Sequence, residues 1–190
     1  MGYSSKSPWL IHYDGSSCNG CDIEVLDSLT PLYDIERFGI INTGNPKHAD
    51  IFLVTGSGNH QNINVVKHIY EQMLEPKVVV ACGACACTGG VFRECYNVLG
   101  GVDKAIPVDV YAPGCAIRPE TVIDAIVEAC GILDQKEAVM RAGGDPLTVG
   151  GAATWDGGVE LGEDGFVAVA GAGDTSAGTP AAPVAAKEAE

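Results

Sequence analysis

Positive charge is scarce in this chain. Its 190 residues carry 11 Lys and Arg against 25 Asp and Glu, a formal net charge of −14. A phosphate backbone is bound through clustered Lys and Arg, so the balance argues against nucleic acid, and equally against direct docking on anionic lipid. Long apolar runs are missing as well. Hydrophobic residues make up 46% of the sequence, yet a stretch such as VVVAC from Val78 is far shorter than the roughly 20 residues that cross a bilayer. The N-terminal segment MGYSSKSPWLIHY lacks the charged region, apolar stretch and cleavage site of a secretory signal, and it has no twin-arginine pair. A soluble, cytoplasmic chain is the expectation. Its length suits one α/β domain, large enough to bury a core without disulfide staples.

What the sequence does have is cysteine, eight of them. A reducing compartment disfavours disulfides, which leaves two roles, ligand or small buried hydrophobe. Four fall in three glycine-rich or turn-forming loops: Cys18 and Cys21 in SSCNGCDIE, Cys85 in CGACACTGG, and Cys115 in APGCAIRPE.

From residue 1 to about 140, short β-branched runs alternate with helical patterns, the signature of a parallel sheet with crossover helices. Strands are predicted at 9–13, 34–38, 51–55, 77–81 and 108–111, and the expected fold is α/β, a flavodoxin-like doubly wound parallel sheet. Helices are predicted at 21–29, with Ile23, Leu26 and Leu29 on one face, and at 62–74, with Val65, Val66, Ile69, Met73 and Leu74 in a stripe. A third is predicted at 119–133, begun by Pro119 and Glu120 and faced by Val122, Ile123, Ile126, Val127 and Cys130 before Gly131. Beyond that the composition turns to Gly, Ala, Thr and Pro. Residues 141–190 carry eight acids against two bases and read as a largely disordered extension of a single domain spanning 1–140. Within it, Val159 with Leu161 and Val167 with Val169 flank Gly162-Glu163-Asp164-Gly165 in a possible hairpin pattern.

Cys18 and Cys21 form a C-x-x-C leading into a helix, whose N-terminus should lower their pKa values. Alone, the pair fits a redox dithiol, half a zinc site or half a cluster. Cys85 and Cys115 add one thiolate each from strand-to-helix turns at the carboxyl edge of the sheet, where doubly wound folds bind ligands. Structural zinc prefers two close pairs, whereas an iron–sulfur cluster accepts scattered thiolates in glycine-rich loops. The 2+1+1 arrangement therefore favours the cluster. Small residues around Cys85 let the backbone approach closely. A nucleotide-phosphate loop fails there, because no Lys-Ser/Thr follows the glycines and no G-x-G-x-x-G occurs. Cys87 is the substitute if Cys85 is the wrong thiolate. Cys82, at a strand end, and Cys95 and Cys130, in helical stretches, are assigned to the core. His12 follows the first strand and is placed to face the site, but His48, His60 and His68 show no ligand spacing, so no histidine is assigned to metal.

C-N-G-C-D-I-E, G-A-C-A-C-T-G-G and Y-A-P-G-C-A-I-R-P-E resemble the signature loops of the NiFe-hydrogenase small subunit and of its complex I relative, the B-type subunit of NADH:quinone oxidoreductase. The resemblance covers roughly residues 8–133. The complex I subunit carries adjacent cysteines in the first motif, so Cys18-x-x-Cys21 with Asp22 and Glu24 tilts it towards hydrogenase. Lacking the leader and second domain of uptake hydrogenases, the chain looks like a small subunit of the membrane-bound energy-converting kind (Ech, carbon-monoxide-linked or formate-hydrogenlyase). The resemblance implies one 4Fe-4S cluster on Cys18, Cys21, Cys85 and Cys115. It also implies a NiFe-containing large subunit, a ferredoxin-like donor subunit and integral membrane subunits as partners, on the cytoplasmic side of the membrane. Electrons would pass to protons and yield hydrogen, with nothing catalysed by this chain alone. Amides of Gly20, Gly83 and Gly114 are the expected donors to sulfur. Glu24 is expected to cap its helix or relay protons, and Arg118 to offset cluster charge or meet a partner carboxylate.

Overall fold

The computed structural model describes residues 6–155 and residue 157. Strands are β1 (Trp9–Asp14), β2 (Ile41–Asn42), β3 (Ile51–Thr55), β4 (Gly58–Asn59), β5 (Val78–Cys82), β6 (Val98–Gly100) and β7 (Val110–Ala112). Helices are α1 (Gly20–Ser28), α2 (Ile63–Gln72), α3 (Gly83–Thr88) and α4 (Pro119–Arg141). Five strands make one parallel sheet in the order β2-β1-β3-β5-β7, which is the flavodoxin-type doubly wound order expected. β4 and β6 form a separate antiparallel pair, too short to leave a period in the sequence.

Every residue of β3 and β5 is buried, as a parallel sheet covered on both faces requires. The two-residue pleat sorts their side chains. Ile51, Leu53, Val78 and Val80 pack with Leu10, Val25, Val122, Ile126 and Leu133 against α1 and α4. Phe52, Val54, Val79 and Ala81 turn the other way, to Ile63, Val66, Ala86 and Ile106 around α2 and α3.

The strand expected at 34–38 is instead the 3-10 turn Ile35–Phe38. Left-handed backbone at Asp34 (φ 48°) and Gly39 (φ 87°) brackets it, and neither angle is compatible with an extended run. The edge strand lies just beyond, Ile41 pairing with Trp9. α2 is shorter than expected because Met73 is already extended ahead of the Glu75-Pro76 step, and Val65 and Leu74 lie exposed outside the apolar stripe. α4 runs past Gly131 to Arg141. Its buried face uses Val122, Ala125, Ile126, Ala129 and Leu133, with Val127 exposed. It continues because Lys136 is buried too, donating to the Lys77 carbonyl (2.8 Å) and to both oxygens of Asp109 (3.0 Å).

Asp109 also receives the backbone N–H of Gly151 (2.8 Å), and the Trp155 indole donates to the Asp103 carbonyl (2.8 Å). The 3-10 turns Pro146–Thr148 and Gly150–Thr154 are thereby fastened to the body. The hairpin pattern at Val159, Leu161, Val167 and Val169 lies outside the described residues.

Candidate metal centre

Parallel register fixes where the cysteines meet. Asp14 pairs with Thr55, Thr55 with Cys82, and Cys82 with Ala112, so β1, β3, β5 and β7 end on one line at the carboxyl edge. From that line the loop after β1 carries Cys18 into α1, which holds Cys21 in its first turn. β5 passes directly into α3, which holds Cys85, and the loop after β7 carries Cys115 to α4. Cys85 therefore sits in a six-residue helix, not in the loop that its glycines suggested.

The three segments are tied to one another. Ala84 N–H donates to the Gly114 carbonyl (2.8 Å), joining α3 to the Cys115 loop. The backbone N–H of Ile117 donates to the Cys21 sulfur, and the charges of Cys18 and Cys115 act on it as well. Cys85 feels Cys115, Cys21 and Cys18. Cys21 and Cys85 thus lie within electrostatic reach of each other and of Cys18 and Cys115; Cys18 and Cys115 are exposed, Cys21 and Cys85 half-buried, and none is in a disulfide.

Burial pushes the Cys21 thiol up, Ile117 pulls it down, and the neighbouring Asp22 pushes it up again. Burial likewise raises Cys85, with the other three thiolates adding to it. The lowering expected from the α1 N-terminus is therefore not the outcome for Cys21, because desolvation of the thiolate outweighs it. Mutual repulsion of this kind is relieved when cations bind the thiolates and release their protons.

Space is kept open by glycine. Gly83 has φ +86°, and a Cβ there would lie 2.5 Å from Cys21 Sγ; one on Gly90 (φ +57°) would lie 3.1 Å from Cys85 Sγ. Among the described residues, no three His, Cys, Asp or Glu side chains are close enough to hold one metal ion.

The remaining cysteines point elsewhere. Cys82 is fully buried. Cys87 packs on the α2/α3 side of the core, donates to the Ala81 carbonyl (3.4 Å), and is pushed up to about 11 by burial. Cys130 is half-buried against the core on α4. Cys95 is not the core residue expected: it is exposed, in a turn where its N–H bonds the Phe92 carbonyl (2.9 Å). Arg118 is exposed at the N-cap of α4. α1 has no side-chain cap, and Glu24 lines a surface recess of about 310 Å³ with Ile23, Leu26, Asp27 and Thr30, so the expected capping role is absent.

Sequence reasoning missed a buried polar cluster at the foot of α1. The Asp22 carboxylate, in a residue only 8% exposed, accepts from the hydroxyls of Ser17 and Thr55 and pairs with His12 Nε2 at 3.0 Å. His12 faces the Thr55 hydroxyl too (3.2 Å). The faint signals were the threonine closing the apolar run IFLVT and the histidine inside WLIHYD. Exposed apolar side chains flank the same edge: Ile23 and Leu26 on α1, and Val91, Phe92 and Tyr96 after α3. No helix among the described residues is long and apolar enough to cross a membrane.

Known proteins resemble this chain in sequence and in fold. A probable membrane-bound hydrogenase subunit of Pyrococcus furiosus is 49% identical over 127 residues, 67% of this chain and 76% of the relative. Formate hydrogenlyase subunit 7 of Escherichia coli is 40% identical over 131 residues, 69% of this chain but only 51% of the relative. A subunit in the structure of an archaeal membrane-bound sulfane sulfur reductase superposes with a TM-score of 0.62 at 38% identity, covering 71% of this chain and 75% of its own. These relatives belong to membrane-bound hydrogenase and oxidoreductase complexes. The model of the NADH ubiquinone oxidoreductase 20 kDa subunit family matches residues 18–129, from the first cysteine of the site to the middle of α4, and the chain belongs to that family of oxidoreductase subunits.

Proposed function

We propose that this chain is the electron-transfer small subunit of an energy-converting, membrane-bound NiFe hydrogenase. In this reading Cys18, Cys21, Cys85 and Cys115 hold one 4Fe-4S cluster, proximal to the NiFe centre of a separate large subunit. A ferredoxin-like iron–sulfur subunit is the donor, integral membrane subunits anchor the assembly on the cytoplasmic side, and the reaction is proton reduction to hydrogen. The observation that carries the reading is the gathering of a C-x-x-C pair and two single cysteines at one sheet edge.

When bound, the cluster supplies one-electron transfer. The chain's own residues hold and shape its place. Thiolates at Cys18 and Cys115 arrive from loops and those at Cys21 and Cys85 from helix first turns. Gly83 and Gly90 keep side chains out of the space beside Cys21 and Cys85, and the Ile117 N–H stabilises charge on the Cys21 sulfur. The exposed residues Ile23, Leu26, Val91, Phe92 and Tyr96 offer apolar surface beside the site for the large subunit to cover. No residue of the chain is assigned a bond-making role.

The test is anaerobic purification of the tagged chain with whatever it holds. A nickel-bearing large subunit and hydrogen evolution from reduced ferredoxin are expected. A second reading, the cluster-bearing B-type subunit of a complex I-like quinone oxidoreductase, is favoured by the family model itself and by the likeness to a subunit of a membrane-bound sulfane sulfur reductase. A nickel-free partner with quinone reduction and no hydrogen would establish it against the first.

A further inference from the structure

We infer that Asp22 is a positioning residue for the four-cysteine site: it fixes the Cys18–Cys21 loop and places a carboxylate beside Cys21 that holds the bound group at low potential. The inference rests on the cluster reading above and adds a residue that is not a ligand.

The hydrogen bonds define the device. Asp22 is on α1, one residue after Cys21, and its carboxylate is bound by three separate parts of the chain: Ser17 from the loop, Thr55 from the end of β3, and His12 from β1. The loop is bonded into the same network. Ser17 N–H donates to Asp14 Oδ1 (2.8 Å), and the Ser17 hydroxyl oxygen accepts the N–H of Asn19 (2.9 Å). Asn19 itself has φ 64°, a backbone angle that an asparagine adopts at modest cost and that must be held by its surroundings. The short path from Cys18 to Cys21 is therefore braced on both sides by groups that end on one carboxylate. A satisfied buried network of this kind fixes a single geometry, whereas a partly satisfied one does not.

Charge follows from the same placement. Asp22 follows Cys21 directly in the first turn of α1, which places a carboxylate one residue from a ligand. A group held there gains negative charge on reduction, which a carboxylate so placed opposes, so its reduced form is destabilised and its potential falls. Groups just outside the ligand set tune metal sites in this way through charge and hydrogen bonds. A low potential suits a carrier that must deliver electrons to protons.

The experiment uses the assembled complex, purified anaerobically, with iron and acid-labile sulfide measured and the cluster followed by electron paramagnetic resonance during a redox titration. D22N keeps the shape of the side chain and removes the charge; it is expected to move the midpoint to higher potential, and D22E to move it back. T55V keeps the charge and deletes one brace; it is expected to alter the spectral line shape with a smaller shift of midpoint. D22N with iron retained and an unchanged midpoint overturns the inference. If D22N loses its iron, the outcome passes to T55V and S17A: altered spectra uphold the bracing role, and spectra identical to wild type overturn it. Wild-type protein that holds no iron and sulfide overturns the cluster reading and this inference together, a result distinct from a silent D22N.

Discussion

Gly83→Ala is expected to disable the cysteine site while leaving the domain folded. Two costs meet at this residue. The first is conformational: φ is +86°, and an L-residue held in left-handed backbone costs about 1–2 kcal/mol. The second is contact. The new methyl would lie 2.5 Å from Cys21 Sγ, so the sulfur must retreat by roughly 1 Å to regain ordinary van der Waals separation. Cys21 stands at the start of α1 and is the more enclosed half of the C-x-x-C pair, so a retreat of that size withdraws a ligand. Thermal unfolding followed by circular dichroism should show a drop of about 2–8 °C, from the backbone cost and the size of the domain, whereas iron content should fall far more than so mild a destabilisation explains. Gly131→Ala is the control. It lies inside α4 with nothing within 4 Å of its Cβ position, and removing a helical glycine should stabilise by about 0.5–1 kcal/mol without touching the site. A Gly83→Ala protein with full iron content and a wild-type spectrum would refute the reasoning about the open space beside Cys21.

Other expectations concern the body of the fold. Lys136 and Asp109 form an ion pair with both side chains 3% exposed, and Asp109 also holds Val79 N–H and Gly151 N–H. Lys136→Met should cost about 3–5 kcal/mol in urea unfolding, since it strands a buried carboxylate, and adding Asp109→Asn should cost less than a second increment of that size. His12 titrates below its usual 6.5, because burial outweighs the pull of Asp22. Its neutral form therefore contributes stability that is present above pH 6.5 and lost as pH falls through the lowered pKa. The melting temperature of wild type should accordingly drop more steeply on acidification than that of His12→Gln, and parallel pH profiles would contradict this. Cys87→Ser should leave the iron content unchanged, because its thiol is committed to the Ala81 carbonyl on the core side.

The strands at 51–55 and 78–82 were legible because a doubly covered parallel strand writes itself as an unbroken apolar run, and the carboxyl-edge position of all four cysteine segments followed from the alternation of strand and helix. Ile35–Phe38 was not. Its apolar ends mimic a strand, and only the backbone at Asp34 and Gly39 decides otherwise. The full length of α4 was hidden by Gly131, since the reason to continue is a contact of Lys136 with residues far back in the chain. Cys95 seemed helical from its neighbours, but no apolar stripe there is long enough to bury it. The Asp22 cluster was illegible for a similar reason: His12, Ser17, Asp22 and Thr55 come together only when β1 and β3 are in register, and no local pattern records that.

Whether the four cysteines hold a cluster decides the proposed function. Iron, sulfide and zinc analysis of the anaerobically purified chain, paired with electron paramagnetic resonance of Cys85→Ser and Cys95→Ser, tests it most directly. About four iron atoms and four acid-labile sulfides per chain are expected, with the signal lost or altered in Cys85→Ser and intact in Cys95→Ser. One zinc per chain, or an unchanged spectrum in Cys85→Ser, would contradict it.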